Sequence, residues 1–243
     1  MDRKQLIRTT LGILLAALSG GGCAVGPTMP SRHLTHDRAW SAEYAARSNE
    51  ADWQGRFGGP SADTALQAYV GRVGARVAAG SGAGRRIDFV VLRGWSPNAF
   101  VLGGDQVCIT RGLLYKVASE GELAAALAHE IGHIASGHTA NKSRQGDEYE
   151  ADALALRYLG GAGYAPLSMV SLLEKLERDF DGGQEGPTHG VTSEHPRTRD
   201  RIRRLQLIVG DGGEHGRGRA DLDGGACFRT MHALLASQWR LRR

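Results

Sequence analysis

Residues 119–138 read SEGELAAALAHEIGHIASGH, and this stretch decides the fold. Ser119 and Glu122 have the spacing of a capping box, so a helix is expected to begin here. Apolar side chains then recur at helical spacing, at Leu123, Leu127, Ile131 and Ile134. The pattern predicts an amphipathic helix over residues 120–139.

This helix carries the motif His129-Glu130-Ile131-Gly132-His133. The two histidines are four residues apart, so they share one face of the helix and can bind a single metal ion. Glu130 can reach a water molecule at that ion without being a ligand itself. Zinc lowers the pKa of such a water toward about 7 and polarises a carbonyl group. The motif therefore predicts zinc-assisted hydrolysis, with one Zn²⁺ per chain and Glu130 as the general base.

A third metal ligand is expected from the next predicted helix, which covers residues 147–159. Glu148 and Asp152 are four residues apart there and share a helix face. Glu148 would complete a set of two histidines and one glutamate, and Asp152 would accept the free N–H of a ligand histidine. Glu150 lies on another face and is the competing third ligand. Taken without the histidines, these carboxylates would form an ordinary solvated helix face.

The rest of the chain predicts an α+β fold that is rich in helices and contains a small mixed sheet. Strands are predicted over residues 87–92, 99–102 and 106–110, and the last two form a hairpin. Further helices are predicted over residues 62–79, 166–180, 197–209 and 226–243.

Composition excludes several functional classes. The chain has 243 residues and a formal net charge of +4, and 41% of its residues are hydrophobic. This length favours one domain with appendages. After the first residues no block of lysine or arginine remains, so we expect no nucleic-acid partner.

The N-terminus resembles a bacterial export signal with a lipobox. Residues 1–22 contain the basic residues Arg3, Lys4 and Arg8, then a short apolar run, then small residues before Cys23. A lipobox usually has leucine where this chain has Gly20. The pattern indicates a lipid anchor at Cys23 and an outer-membrane lipoprotein that faces the periplasm. Ordinary secretion and an uncleaved anchor are the alternatives.

Several motifs between residues 60 and 209 resemble those of a known peptidase family. In chain order they are Pro97-Asn98-Ala99-Phe100 with Gly103-Gly104, Gly112-Leu113-Leu114, His129-Glu130-x-x-His133 with Gly137-His138, Glu148-Tyr149-Glu150-Ala151-Asp152 with Ala155-Leu156 and Gly163-Tyr164, and Ser193-Glu194-His195-Pro196 with Arg201-Ile202. They resemble the gluzincin peptidases that include the CAAX prenyl endopeptidases, HtpX and the bacterial periplasmic lipoprotein proteases.

The resemblance implies a zincin-like fold built around the active-site helix. It implies that His129, His133 and Glu148 bind zinc and that Glu130 is the general base. It also implies that His195 lies near the metal, where it could steady the oxyanion. This histidine could instead occupy the fourth zinc position and hold the enzyme inactive, or be a purely structural loop residue.

The chain then divides into four parts. They are a lipoprotein-like signal peptide at 1–22, a tether and wrapping segment at 23–60, a zinc metallopeptidase domain at 61–209, and a low-complexity loop with a basic helix at 210–243.

Other residues carry weaker expectations. Asn98, Ala99 and Phe100 are expected at an edge strand above the cleft, where an extended peptide substrate could add as a further strand. A plain hairpin is the alternative. His138 is expected to face solvent or to bond backbone, and Arg201 is expected to brace the loop of His195. Cys108 and Cys227 could pair, or they could be two separate buried thiols.

Together these features predict a zinc metalloendopeptidase of the bacterial envelope. Its polypeptide substrates would be misfolded or stalled envelope proteins, an inference that rests on family analogy. One alternative is a chaperone-like assembly factor with a gated zinc site. Another is an interaction module whose metal is purely structural, which would require four protein ligands.

Overall fold

The structure is a computed structural model, and it describes residues 55, 57–102, 105–138, 145–181, 198–211 and 225–242. Within these residues the chain forms seven helices and three strands. The helices are α1 (Thr64–Ser81), α2 (Arg111–Lys116), α3 (Glu120–Ser136), α4 (Gln145–Gly161), α5 (Leu167–Asp181), α6 (Thr198–Asp211) and α7 (Gly225–Arg240). The strands are β1 (Asp88–Leu92), β2 (Ala99–Leu102) and β3 (Gln106–Thr110).

The three strands form one mixed sheet in the order β1-β3-β2. β1 runs parallel to β3, with Asp88 opposite Gln106, and β2 runs antiparallel to β3, with Ala99 opposite Ile109. One face of the sheet adds Val91, Val107 and Ile109 to the main core, against the helices. A smaller apolar cluster contains Phe57, Leu92, Phe100, Leu102 and Cys108.

The helix α3 is the centre of the fold. Every residue from Glu120 to Ile134 is buried, so this helix is covered on all sides. Its first turn is capped by Ser119, whose hydroxyl accepts a hydrogen bond from the backbone N–H of Glu122 at 3.1 Å. The Glu122 carboxylate in turn accepts the N–H of Ala118 at 2.7 Å. The expected serine cap is therefore present and fixes where the helix begins, whereas Glu122 bonds the N–H one residue before the cap.

The helix α4 approaches α3 closely at Gly132, which lies between the two histidines of the motif. A Cβ atom at Gly132 would lie 2.9 Å from the carbonyl oxygen and 3.0 Å from the Cα of Ala151. Any side chain here would push the two helices apart. The glycine thus sets the short distance at which Glu148 on α4 meets His129 and His133 on α3.

A buried carboxylate ties the start of α3 to two other parts of the fold. Glu120 accepts hydrogen bonds from the hydroxyls of Tyr69 at 2.7 Å and Tyr164 at 2.8 Å. Burial is the larger cause and the hydrogen bond to this carboxylate the smaller one, and together they raise the pKa of both tyrosines far above the usual value. Both hydroxyls therefore remain donors. These bonds connect α1 and the segment before α5 to the central helix.

Most predicted elements are confirmed, with small differences at their ends. The helix α2 was missed because its six residues are too short for helical periodicity to be visible. The helix α4 begins at Gln145 and continues through Gly146, where a break was expected. Among the described residues, no helix has the length and apolar character needed to cross a bilayer. Residues 1–54, Gly103-Gly104 and residues 212–224 lie outside the described residues, as do the calls made on them.

We expect Gly132→Ala to lower the free energy of unfolding by about 1–3 kcal/mol, because the new methyl group meets the backbone of α4. Gly71→Ala in α1 is the matched control. Its Cβ would meet no atom within 4 Å, so it should stabilise the helix by up to about 1 kcal/mol. Urea unfolding of both variants makes the comparison, and equal shifts would contradict the close approach.

Candidate active site

Three potential ligand atoms converge between α3 and α4. The Nε2 atoms of His129 and His133 lie 3.1 Å apart. Oε2 of Glu148 lies 3.4 Å from Nε2 of His129, and Oε1 of Glu148 lies 3.5 Å from Nε2 of His133. All three side chains are buried, and Glu148 has no exposed surface. The structure thus brings together the three residues that the sequence singled out, and they form a possible metal site.

These distances fit a tetrahedral metal ion. Zinc–nitrogen and zinc–oxygen bonds of about 2.0–2.2 Å place neighbouring ligand atoms roughly 3.3–3.6 Å apart at a tetrahedral angle. The two Nε2 atoms lie 3.1 Å apart, and each lies 3.4–3.5 Å from its nearer carboxylate oxygen of Glu148, so the contacts are close to these values. Lone pairs this close in a buried site repel one another unless a cation or a proton lies between them. The donor set of two imidazoles and one carboxylate is suited to a divalent ion such as zinc.

Asp152 and Arg201 hold His129 in place. The Nδ1 of His129 lies 3.0 Å from Oδ1 of Asp152, which leaves Nε2 facing the other two ligand atoms. Burial and the charge of Arg201 oppose protonation of His129, but Asp152 and Glu148 outweigh them and raise its pKa to about 9. A proton therefore occupies this site readily when no metal ion does.

Arg201 supplies the buried positive charge of the site. It donates from Nε and Nη2 to the two oxygens of Asp152, at 2.8 and 2.7 Å, and its Nη1 lies 3.2 Å from Glu148. Burial alone would raise the pKa of Asp152, yet the guanidinium holds it at about 2. Burial works against the charge of Arg201 itself, but Asp152, Glu148 and Glu130 together raise its pKa. Asp152 is thus kept ionised.

The sequence predicts that Arg201 braces the loop of His195, and this stays a prediction because that loop lies outside the described residues. The structure places Arg201 against Asp152 and Glu148, an interaction that was not predicted from the sequence. The sequence carried only a partial signal: Arg201 is four residues before Leu205 and shares its helix face, but the partners of that face depend on how α6 packs.

His138 contacts the second ligand histidine, whereas it was expected to face solvent or to bond backbone. Its Nδ1 lies 3.1 Å from Nδ1 of His133, and only 11% of its side chain is exposed. Since Nε2 of His133 faces the metal site, the Nδ1–H of His133 donates and His138 accepts. The other ring nitrogen of His138 lies 3.5 Å from Glu150.

The end of α3 explains this contact. Gly137 adopts φ 69°, and the backbone N–H of His138 donates to the carbonyl oxygen of His133 at 3.0 Å. This is a Schellman motif, in which the residue after the glycine folds back onto the last helical turn. The Gly137-His138 pair following the motif was therefore a signal for the contact. Glu150, the competing third ligand, accepts instead from the hydroxyl of Ser136 at 2.8 Å and lies beside His138.

The remaining site residues lie at different places. Glu130 is buried beside His129, with 3% of its surface exposed. Asn98, Ala99 and Phe100 are buried at the start of β2. His195 and Cys23 lie outside the described residues. Cys108 is a free, fully buried thiol whose pKa is raised by burial, so the Cys108–Cys227 disulfide that the sequence left open is not formed.

We expect Arg201→Met to lower the free energy of unfolding of the metal-free protein by about 3–5 kcal/mol, because it leaves Asp152 and Glu148 buried without a counter-charge. Arg203→Met on the same helix removes an exposed guanidinium and should change it by less than about 0.5 kcal/mol. Chemical denaturation in the presence of a chelator measures both, and a similar loss in both variants would refute the pairing.

We expect His138→Ala to weaken zinc affinity by about 10–100-fold, since His133 loses the partner of its Nδ1–H. His138→Asn should restore most of the affinity, because its side-chain oxygen can accept the same hydrogen bond. Competition with a chromophoric chelator gives the affinities. An alanine variant that binds zinc as tightly as wild type would show that the contact does not position His133.

Comparison with known proteins shows which family this chain belongs to. The model of peptidase family M48 matches residues 64–146 and 139–209. The mitochondrial metalloendopeptidase OMA1 of Schizosaccharomyces pombe is 30% identical over an alignment of 176 residues, which covers 57% of this chain and 51% of that protein. A putative beta-barrel assembly-enhancing protease of Vibrio cholerae is 33% identical over 84 residues, 34% of this chain and 17% of that protein. The chain thus spans about half or less of these relatives. Because the family model matches more than half of its residues, the chain belongs to peptidase family M48.

Proposed function

We propose that this protein is a zinc-dependent metalloendopeptidase that hydrolyses peptide bonds at the site between α3 and α4. The observation that carries the proposal is the convergence of the buried side chains of His129, His133 and Glu148, whose nitrogen and oxygen atoms contact one another at 3.1–3.5 Å. Among the described residues three side chains offer ligand atoms, which leaves a fourth position for water or substrate, as catalytic zinc sites require and structural sites do not. Membership of a family of metal-dependent peptidases supports the same function.

Glu130 is the proposed general base. When bound, the zinc ion polarises the scissile carbonyl group and makes a nearby water more acidic. Glu130 takes a proton from the attacking water while the water oxygen bonds to the carbonyl carbon. As the carbon–nitrogen bond breaks, Glu130 delivers that proton to the leaving amine nitrogen. Asp152 and Arg201 keep His129 oriented with Nε2 toward the metal throughout.

Among the described strands, β2 forms the edge of the sheet to which we propose that an extended substrate adds. The outer edge of β1 is covered, because the side chain of Gln67 bonds both the N–H and the carbonyl of Val91, and Ser61 donates its N–H to the same carbonyl. Within the described part of the chain, no strand pairs with β2 on the side away from β3. A peptide substrate added beside β2 would meet the backbone of Ala99 and Phe100, with Asn98 at the entry to the strand.

His195 has two proposed roles that the variant His195→Ala separates. In the first role, His195 donates a hydrogen bond to the developing oxyanion, and the variant then cleaves substrate more slowly than wild type. In the second role, His195 blocks the fourth metal position, and the variant then cleaves substrate faster than wild type.

We assign the enzyme to the bacterial envelope, with a lipid anchor at Cys23 and unfolded envelope proteins as substrates. The export-type pattern of residues 1–22 supports the address. The name of the Vibrio cholerae relative refers to beta-barrel assembly, which supports envelope substrates. Membrane fractionation of wild type and Cys23→Ser after a high-salt wash, which removes purely electrostatic binding, tests the address. Release of the variant from the outer membrane is expected, and an unchanged distribution would contradict it.

We expect Glu130→Gln to bind zinc as wild type does and to lower the rate of casein cleavage by about 10²–10⁴-fold, because the general base is lost. Glu174→Gln is the matched control, since this carboxylate bonds Gln206 at the surface and should leave the rate unchanged. Metal analysis and cleavage assays use the same samples. A wild type that holds zinc but cuts neither casein nor unfolded outer-membrane proteins would favour the chaperone-like alternative.

A further inference from the structure

A group of basic and aromatic side chains lies where the C-terminal helix α7 meets α2. We call it the basic aromatic surface, and it consists of Arg93, Trp95, Arg111, Trp239, Leu241 and Arg242. None of these residues takes part in the site between α3 and α4. From the sequence alone, the basic C-terminal helix could contact anionic lipid or be a solvated helix end.

Aromatic packing holds α7 in place against α2. The ring of Tyr115 stacks on Trp239 and on His232, with centroids 5.7 Å apart in both pairs. The Nε2 of His232 lies 3.0 Å from the carbonyl oxygen of Tyr115. Phe228, Met231 and Leu235 are buried in the main core. The last turn of α7 and the residues after it therefore occupy a defined position.

Three guanidinium groups come together on this surface. Burial lowers the pKa of Arg111, and the like charges of Arg93 and Arg242 lower it further, while Asp63 alone opposes them. The buried Nε of Arg111 has no hydrogen-bond partner among the described residues. Arg93 and Arg242 are both exposed. Arg111 donates from Nη2 to the hydroxyl of Ser61 at 2.8 Å, so its guanidinium is fixed in place. A fixed guanidinium with a free N–H, near two exposed arginines, favours an anion.

Apolar groups are interleaved with these charges. Arg242 lies over the ring of Trp95 at 5.9 Å, and Trp95 lies 5.2 Å from Trp239. Leu241, between two exposed arginines, has 88% of its surface exposed. Residues 225–243 contain four arginines and no acidic residue. Tryptophan, leucine and arginine together are typical of protein surfaces that lie at the boundary of a bilayer.

We propose that the basic aromatic surface binds the headgroup region of an anionic phospholipid bilayer. The phosphates of the lipid headgroups neutralise Arg93, Arg111 and Arg242, and Leu241 enters the boundary between headgroups and acyl chains. A bilayer satisfies both features, whereas an acidic polypeptide or a nucleic acid would leave Leu241 in water. This contact is independent of a lipid at Cys23 and of catalysis.

The test measures binding of the full chain to vesicles of phosphatidylcholine that contain from none to about 30% phosphatidylglycerol. We expect affinity to rise with the anionic fraction and to fall with added salt. The double variant Arg93→Gln/Arg242→Gln should lose about 30-fold, roughly fivefold per arginine near the surface. The control Arg86→Gln/Arg178→Gln removes the same charge from exposed arginines elsewhere and should change affinity by less than about twofold. All variants keep residues 1–22, so any binding by that segment is common to them.

Leu241→Ser separates the bilayer from other anions. This residue is almost fully exposed, so the substitution leaves folding intact, and we expect a severalfold loss of vesicle binding with the salt dependence retained. Equal losses in the two double variants would overturn the proposal, as would binding that does not depend on the anionic fraction. Binding to polyglutamate that requires Arg93 and Arg242, without binding to vesicles, would identify an acidic polypeptide as the partner and refute the bilayer.

Discussion

The structure depends on the balance of charge buried between α3, α4 and α6. Glu130, Glu148 and Asp152 are at most 3% exposed, and burial of carboxylates is costly unless positive charge compensates them. Arg201 compensates one of the three. A divalent cation held by His129, His133 and Glu148 would compensate the other two. When no such ion is bound, a proton on His129 supplies part of the missing positive charge, and the raised pKa of His129 reflects this.

The backbone is shaped to keep these charges together. Gly132 lets α4 approach the face of α3 that carries the histidines, and Gly137 turns the chain so that His138 meets His133. Each ligand histidine then has its own partner on the ring nitrogen away from the metal site, Asp152 for His129 and His138 for His133. Such partners fix the tautomer of a ligand histidine and its orientation. Within the described residues, the site is therefore formed by the packing of helices.

The parts of this arrangement that could be predicted from the sequence are those that depend on local spacing. The four-residue separations of His129 from His133 and of Glu148 from Asp152 predicted shared helix faces, and these residues do lie together. The placement of Arg201 depends on how α6 packs against α4, more than 40 residues away in the chain, so residue spacing alone could not predict it. The parallel pairing of β1 with β3 is likewise a long-range feature. The contact of His138 was predictable from the helix-ending glycine, but its role was judged from helical periodicity, which no longer applies after Gly137.

The central claim is that two imidazoles and one carboxylate of this chain hold a single zinc ion with an open position. X-ray absorption spectroscopy of the zinc-loaded protein tests it most directly. The account predicts one zinc ion per chain with only nitrogen and oxygen neighbours at about 2.0–2.2 Å, two of them imidazoles, and loss of one imidazole in His133→Ala. A sulfur neighbour at about 2.3 Å, or a spectrum that is the same in wild type and His133→Ala, would contradict it.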